Sequence, residues 1–242
     1  MLEGRYRAAE QRLRESILLS MARKDPLTEG RNHFFMGILL NGFGDRAGER
    51  QELDAAARCL KAVQHPPEWL VARIGTAYAR GHAITKASGL LRQLQAISDA
   101  KSTQSRSFVH LLEGEVTLAR GDAAGAVDLL LLANREFPGP ETLACLARAC
   151  DLADHRSQAV EYYEKLIASG RAALGWEPQQ EWIRAHIRLA EIYMDQGERA
   201  KAAQALRPVA DLWKEADPDL PLAVRLRGLT STLSAAASKM VP

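Results

Sequence analysis

Aromatic residues are scarce in this 242-residue chain, at 6%. Hydrophobic residues still make up 47%, with Ala and Leu dominant. That is enough to bury a substantial core. Small apolar residues suit helices packed closely together, and Ala has the best helix propensity. Neither sign of charge predominates: 32 basic and 30 acidic residues leave +2, and no run of five or more like charges occurs. This balance provides no electrostatic footprint for nucleic acid or an anionic membrane, so neither is expected as a partner. Long apolar runs are missing too. Nothing approaches the ~20 residues of a membrane span. The opening Met1-Leu2-Glu3-Gly4-Arg5-Tyr6 has no apolar run of signal-peptide length. A cytoplasmic protein is expected.

Cysteine is limited to Cys59, Cys145 and Cys150, and none forms a metal-type pair. Cys145 and Cys150 are five residues apart, so on a helix they face different ways. An odd count in a chain of this size points to buried thiols in a reducing compartment. The chain also has no phosphate-binding loop, no zinc-protease motif and no nucleophile elbow. Glu113 and Glu115 fall on different helix faces and do not make a catalytic pair. No enzyme activity, no cofactor and no metal site is expected.

What the chain has is a ladder of small residues. Gly114, Gly121, Ala126, Ala133 and Pro138 are separated by seven, five, seven and five residues. The spacing returns at Ala190, Gly197, Ala202 and Val209, and more loosely at Ala147, Asp154, Ala159 and Leu166. Such a period means stacked similar units rather than one core around an active site. In the unit from Phe108 to Pro138, Val109, Leu112, Val116 and Ala119 step by three and four along one helix face. Gly121-Asp122 ends that helix and starts the next, with Gly at the C-terminal cap and Asp accepting from free amides. Val127, Leu130, Leu131 and Ala133 continue the apolar face until Phe137-Pro138 stops it. The expected product is a pair of antiparallel helices with a very short turn. Gly114 and Ala126 would mark their closest approach.

Residues after the turn in successive units are Ala9, Glu49, Ala87, Ala126, Ala159 and Ala202, with steps of 40, 38, 39, 33 and 43. Glu49 stands where a small residue is expected. Pro26, Pro66-Pro67, Pro138-Gly139-Pro140 and Pro178 fall between units, where proline is tolerated. The expected division is one repeat domain over 1–242. It holds a partial unit at 1–25, units at 27–63, 66–98, 105–138, 140–174 and 179–216, and a capping helix at 219–239. Gly4 to Ala9 reads as the middle of a unit. The chain is therefore expected to continue a longer protein, the other reading being a single capping helix at the start.

The pattern resembles the tetratricopeptide repeat. Leu189-Ala190, Tyr193, Gly197-Glu198, Ala202 and Leu206 match its signature, as do Gly114, Gly121-Asp122, Ala126, Leu130, Ala133 and Pro138. The resemblance implies an all-α, right-handed α-α superhelix of about five helix pairs with additional end helices. It also implies a protein-interaction module that binds a peptide or partner domain in a concave groove lined by first helices. Leu111-Leu112-Glu113-Gly114-Glu115 and Ala216-Asp217-Pro218-Asp219 resemble the C-terminal arrays of bacterial signalling proteins, which carry serine/threonine kinase or winged-helix output domains. Neither output domain is present here. The family's clamp for C-terminal carboxylates uses Asn and Lys. At those places this chain has Phe34, Ile38, Ala72, Thr76, Leu111, Glu115, Ala144 and Arg148, so no clamp carries over.

By repeat phase, Phe34, Ile38, Trp69, Phe108 and Leu111 are expected to face the groove in the N-terminal half. Glu141, Arg148, Arg184, Glu191 and Asp195 follow in the C-terminal half. His33, His110 and His186 each precede a first-helix small residue by four. Because their units are not adjacent, packing rather than a shared metal is expected. His65, His82 and His155 lie near turns and are expected to be solvated. Gly42-Phe43-Gly44-Asp45-Arg46-Ala47 fits the dinucleotide fingerprint in form but lacks the strand and βαβ context it needs. It reads as an inter-helix turn. Two other readings stay open: a self-association scaffold forming a homodimer through Trp69 and Phe108, and a small-molecule sensor with a pocket inside the superhelix.

Overall fold

A computed structural model describes residues 1–170 and 179–238. The expected boundary at Pro178, the end of a unit at 174 and the last residue of the cap at 239 lie outside the described residues. Among those described, the chain forms twelve helices and no strand. They are α1 (Tyr6–Ala22), α2 (Pro26–Phe43), α3 (Arg46–Lys61), α4 (Glu68–Arg80), α5 (Ile84–Ile97) and α6 (Thr103–Ala119). Then come α7 (Ala123–Glu136), α8 (Pro140–Leu152), α9 (Arg156–Ala168), α10 (Gln180–Asp195), α11 (Arg199–Leu212) and α12 (Pro221–Ser238). Five antiparallel pairs, α2/α3 to α10/α11, stack as an α-α solenoid between the end helices α1 and α12.

The turns inside the pairs share one geometry. Gly44, Gly121 and Gly197 adopt φ of +83°, +93° and +77°. His82 and Asp154 hold the same left-handed place at +56° and +57°, as does Lys24 between α1 and α2 at +54°. An acidic residue often follows and caps the next helix. Asp25, Asp45 and Asp122 accept from the amides of Thr28, Gly48 and Gly125 at 3.0, 2.9 and 2.8 Å. The Gly42–Ala47 stretch is therefore a turn between α2 and α3, with no strand before it.

The small residues sit at helix crossings. Ala87, Ala126, Ala159 and Ala202 are wholly buried. A Cβ on Gly114 would lie 2.7 Å from Leu130 Cγ and 3.4 Å from the Ala126 carbonyl. Glu49 takes the alanine place in the first pair and is buried there. Its carboxylate is satisfied by Asn41 Nδ2 at 2.8 Å and Arg46 Nη1 at 3.0 Å. A charged residue is accommodated because two donors meet it.

The core divides into two clusters. One fills the N-terminal half, from α2 to α6. The other runs along the C-terminal half and also takes in Tyr6, Ile17, Met36 and Leu39 from α1 and α2. The two ends of the array therefore share a core. Tyr6 stands edge-on to both Phe43 (5.8 Å) and Trp213 (6.4 Å). Trp213 Nε1 donates to the Leu2 carbonyl at 2.7 Å, and the Asp217 amide donates to the Gly4 carbonyl at 3.0 Å. The Arg7 amide donates to Asp217 at 2.8 Å, and the Arg7 side chain pairs with Asp219 at 2.6 Å. Arg5 pairs with Glu215. The solenoid is thus clasped into a ring by its first seven residues.

Ala126→Leu should overpack the α6–α7 crossing and cost about 1–3 kcal/mol. Chemical denaturation measures this, and an unchanged midpoint would contradict the crossing. Gly4→Ala tests the clasp. Gly4 has φ +74°, and a Cβ there would lie 2.3 Å from Ala216 Cβ and 2.9 Å from Ala216 Cα. The variant should have a larger scattering radius and faster proteolysis before α2. A wild-type radius and cleavage pattern would show that the ends are not held this way.

Candidate functional site: an arginine-lined interior cavity

The inner face of the ring forms a partly open cavity of about 410 Å³. Its wall is built mainly from first helices, each presenting one face at helical spacing. Helix α2 gives Phe34, Ile38 and Asn41, and α4 gives Arg73, Thr76, Ala77 and Arg80. Helix α8 gives Glu141, Ala144, Cys145, Arg148 and Asp151, and α10 gives Gln180, Glu181, Arg184 and Arg188. Arg46 and Glu49 of α3, Tyr163 and Leu166 of α9, and Leu222 and Arg225 of α12 close the remaining sides.

Seven arginines line this space, and each pairs with a carboxylate. Arg73 of α4 holds Glu141 of α8 through two nitrogens at 3.1–3.2 Å. Arg80 bridges Glu115 of α6 (3.0 Å) and Glu181 of α10 (2.9 Å). Arg148 takes the other oxygen of Glu115. Arg184 joins Glu181 at 3.0 Å and Asn41 of α2 at 2.9 Å. Arg188 grips Asp151 at 2.6 and 2.9 Å and reaches Glu191 at 3.2 Å. Arg225 pairs with Glu191 from α12, and Arg46 with Glu49.

The electrostatics follow from burial. Glu115 is completely buried. Burial alone would raise its carboxyl, but the Arg80 and Arg148 guanidiniums outweigh it and hold the group at about 2. Burial opposes Glu181 in the same way, and Arg80, Arg184 and Arg148 hold it below the usual carboxylate range. Burial, then Glu115, pushes the Cys145 thiol well up. It therefore stays protonated and is not an activated nucleophile. Three buried polar atoms on wall residues have no hydrogen-bond partner among the described residues: Thr76 Oγ1, Arg148 Nε and Gln180 Oε1. A guanidinium carries five N–H donors. Seven of them against six carboxylates leave the wall rich in donors.

The residues expected to face a groove separate into three groups. Ile38, Arg148, Arg184 and Glu141 lie on the cavity wall. Phe34 touches the cavity but is 1% exposed and packs on Phe35 at 5.3 Å. Leu111, also 1% exposed, is in the core and does not reach the cavity. Trp69 is half-buried one turn before Arg73, with that guanidinium 5.3 Å from its ring centroid, and is not among the wall residues. Phe108 is half-buried against the N-terminal cluster. Glu191 stands behind the wall and anchors Arg188 and Arg225. Asp195 is exposed at the end of α10. Sequence reasoning did not single out Arg73, Arg80, Glu181, Arg188 and Arg225. Arg73 and Arg80 lie three before and four after Thr76, so the first-helix phase contained a signal for those two.

The histidines at the repeated place have separate surroundings. His110 Nδ1 lies 2.8 Å from Glu136, and His186 Nδ1 lies 2.6 Å from the Ala205 carbonyl beneath Trp182. His33 lies against Glu52. His65, His82 and His155 are exposed. Among the described residues, no helix is long and apolar enough to cross a membrane.

No protein-family model matches the chain, and no curated protein matches it. Solved structures do. A thermophilic TPR protein of Thermus thermophilus superposes with a TM-score of 0.59 at 16% identity, covering 84% of this chain and 99% of that one. The TPR2AB domain of yeast Sti1, solved in complex with pHSP90, gives a TM-score of 0.39 at 15% identity, covering 96% of this chain and 79% of that one. The fold is a TPR-like α-α solenoid.

Glu115→Gln should cost about 3–5 kcal/mol, because it takes from Arg148 its paired carboxylate and leaves Arg80 with Glu181 alone. The pH dependence has a definite sign. The folded carboxyl titrates below its ordinary value of 4.5, so its contribution is complete above that pH. It is lost as pH falls from there toward 2. Urea midpoints between pH 6 and pH 2.5 should fall more steeply for wild type than for the variant. Parallel curves would contradict this assignment.

Proposed function

We propose that this chain is a non-catalytic protein-interaction module that holds a short acidic segment of a partner inside the ring. The donor-rich cavity carries this reading. Its walls present arginines in planar, bidentate-capable orientation, suited to carboxylates and peptide carbonyls. Its volume of about 410 Å³ admits a few residues of extended chain and not a folded domain. In the resting protein the wall carboxylates occupy these arginines. An acidic ligand would compete for them, and Thr76 Oγ1 and Arg148 Nε offer further donors. We place the module in a larger bacterial signalling protein, on the resemblance of its repeats to arrays of that kind.

A second reading shares the cavity. Small-molecule pockets commonly span ~300–1,000 Å³, so a small anionic ligand sensed inside the ring also fits. Melting shifts with dicarboxylates and phosphate esters, in the absence of any peptide, separate the two.

Calorimetry with a library of short Asp- and Glu-rich peptides tests the main reading. Arg184→Gln and Arg225→Gln should each weaken binding about tenfold or more, as expected for a lost charge-assisted hydrogen bond. Trp69→Ala and Phe108→Ala should leave it within about twofold. Binding that survives both arginine changes and fails in the aromatic variants would place the partner on the outer rim. Light scattering of those aromatic variants reads the homodimer alternative directly.

A further inference from the structure

The first helix pair carries a polar cluster outside the cavity. Glu29 and His33 are one turn apart on α2, and Glu52 and Cys59 are two turns apart on α3. The helices press together here. A Cβ on Gly30 would lie 3.0 Å from Cys59 Cβ and 3.4 Å from the Ala56 carbonyl. The Cys59 thiol donates to Glu29 Oε1 at 3.4 Å, and His33 Nε2 lies 3.8 Å from the same oxygen. One ligand atom from each of Glu29, His33 and Cys59 falls within 4.8 Å of the other two. All three residues are half-buried.

A thiol–carboxylate hydrogen bond beside a histidine would account for part of this arrangement. Two features go beyond it. The first is distance. A tetrahedral ion bound at ~2.0 Å to nitrogen and oxygen and ~2.3 Å to sulfur separates its donors by ~3.3–3.5 Å. The two separations from Glu29 Oε1, 3.4 and 3.8 Å, are within a few tenths of an ångström of this, and the sulfur and the imidazole nitrogen lie within 4.8 Å of each other, a gap that a side-chain rotation closes. The second is the orientation of the imidazole. His33 Nδ1 lies 2.6 Å from Glu52 Oε2. A carboxylate can only accept, so Nδ1 carries the proton there. In the neutral ring, Nε2 then presents its lone pair toward the Glu29 oxygen, itself electron-rich. A proton on Nε2 or a metal ion between the two atoms removes that repulsion, and the neighbouring Cys59 sulfur adds a third donor for a metal. A carboxylate on the far nitrogen is the usual way a metal-binding imidazole is held.

We propose that Glu29, His33 and Cys59 form a site for one divalent cation of the zinc class, with Glu52 as the positioning residue for His33. The donor set of sulfur, imidazole and carboxylate suits zinc or cobalt and not magnesium or calcium. As the ion arrives, the Cys59 S–H bond breaks, the proton leaves to solvent and the sulfur–metal bond forms. Thiolate and carboxylate then balance the charge of the ion. The partial exposure of the three side chains leaves the fourth position to water.

Cobalt titration of the full chain tests the site. One equivalent should bring up tetrahedral d–d bands and a thiolate charge-transfer band, and zinc should displace both. Cys59→Ser should abolish the charge-transfer band and weaken zinc binding at least tenfold. His33→Gln should weaken it similarly, and Glu52→Gln by about 10–100-fold. Cys150→Ser should change nothing. If Cys59→Ser does not fold, Glu29→Gln takes its place, with the same loss of zinc affinity expected. Absence of both bands in the wild-type protein, or wild-type zinc affinity in Cys59→Ser and Glu29→Gln, would overturn the proposal.

Discussion

The buried Glu115 carboxylate is where the helix pairs are tied together. Arg80 reaches it from the second pair and Arg148 from the fourth. Arg80 continues to Glu181 in the fifth pair, and Glu181 passes through Arg184 to Asn41 in the first. One chain of charge-assisted hydrogen bonds thus touches all five pairs. Taking such charges out of water is costly, and their mutual attraction often only offsets that cost. What the network supplies is geometry. A guanidinium has fixed donor directions, so each link sets the position of one inner helix relative to another.

That constraint changes what kind of object the solenoid is. In an ordinary repeat array each unit touches only its neighbours, and stability adds up along one dimension. Here α4 is bonded to α8 and α10, and α2 to α10. The clasp of residues 1–7 on Trp213, Glu215, Asp217 and Asp219 closes the circuit. Fraying from either end must break contacts to the opposite end. A single cooperative unfolding transition is the physical consequence, with the clasp and the inner network failing together.

Much of the helical architecture could be read from local chemistry. The seven-then-five spacing marks left-handed turns and close helix crossings, and both are decided within about twenty residues by backbone sterics and side-chain size. The ring was not legible, because closure depends on small rotations summed over five pairs. Nothing in Gly4 or Ala216 announces the other, 212 positions away. The interior was legible in part. Repeat phase put Ile38, Arg148 and Arg184 on the inner faces, where they line the cavity. It placed Leu111 one step too far round, since neighbouring first helices pack against that side of α6 and bury it. His33 shows the opposite limit. Comparing it with His110 and His186 along the array gave a column without meaning, whereas its real partners, Glu29, Glu52 and Cys59, lie within its own pair.

The choice of arginine for the wall follows from the same geometry. A lysine would offer one compact charge with three donors on a flexible stem, without the fixed planar fork that sets a carboxylate's direction. Arg80 instead serves Glu115 and Glu181 at once, and Arg188 serves Asp151 and Glu191. After these bonds are made, Arg148 Nε still has no partner among the described residues. The residues that close the ring therefore also provide the donors an acidic ligand would use. On the proposed reading, binding and closure would draw on one set of side chains, and a ligand that took over a wall arginine would loosen the link that arginine made between pairs.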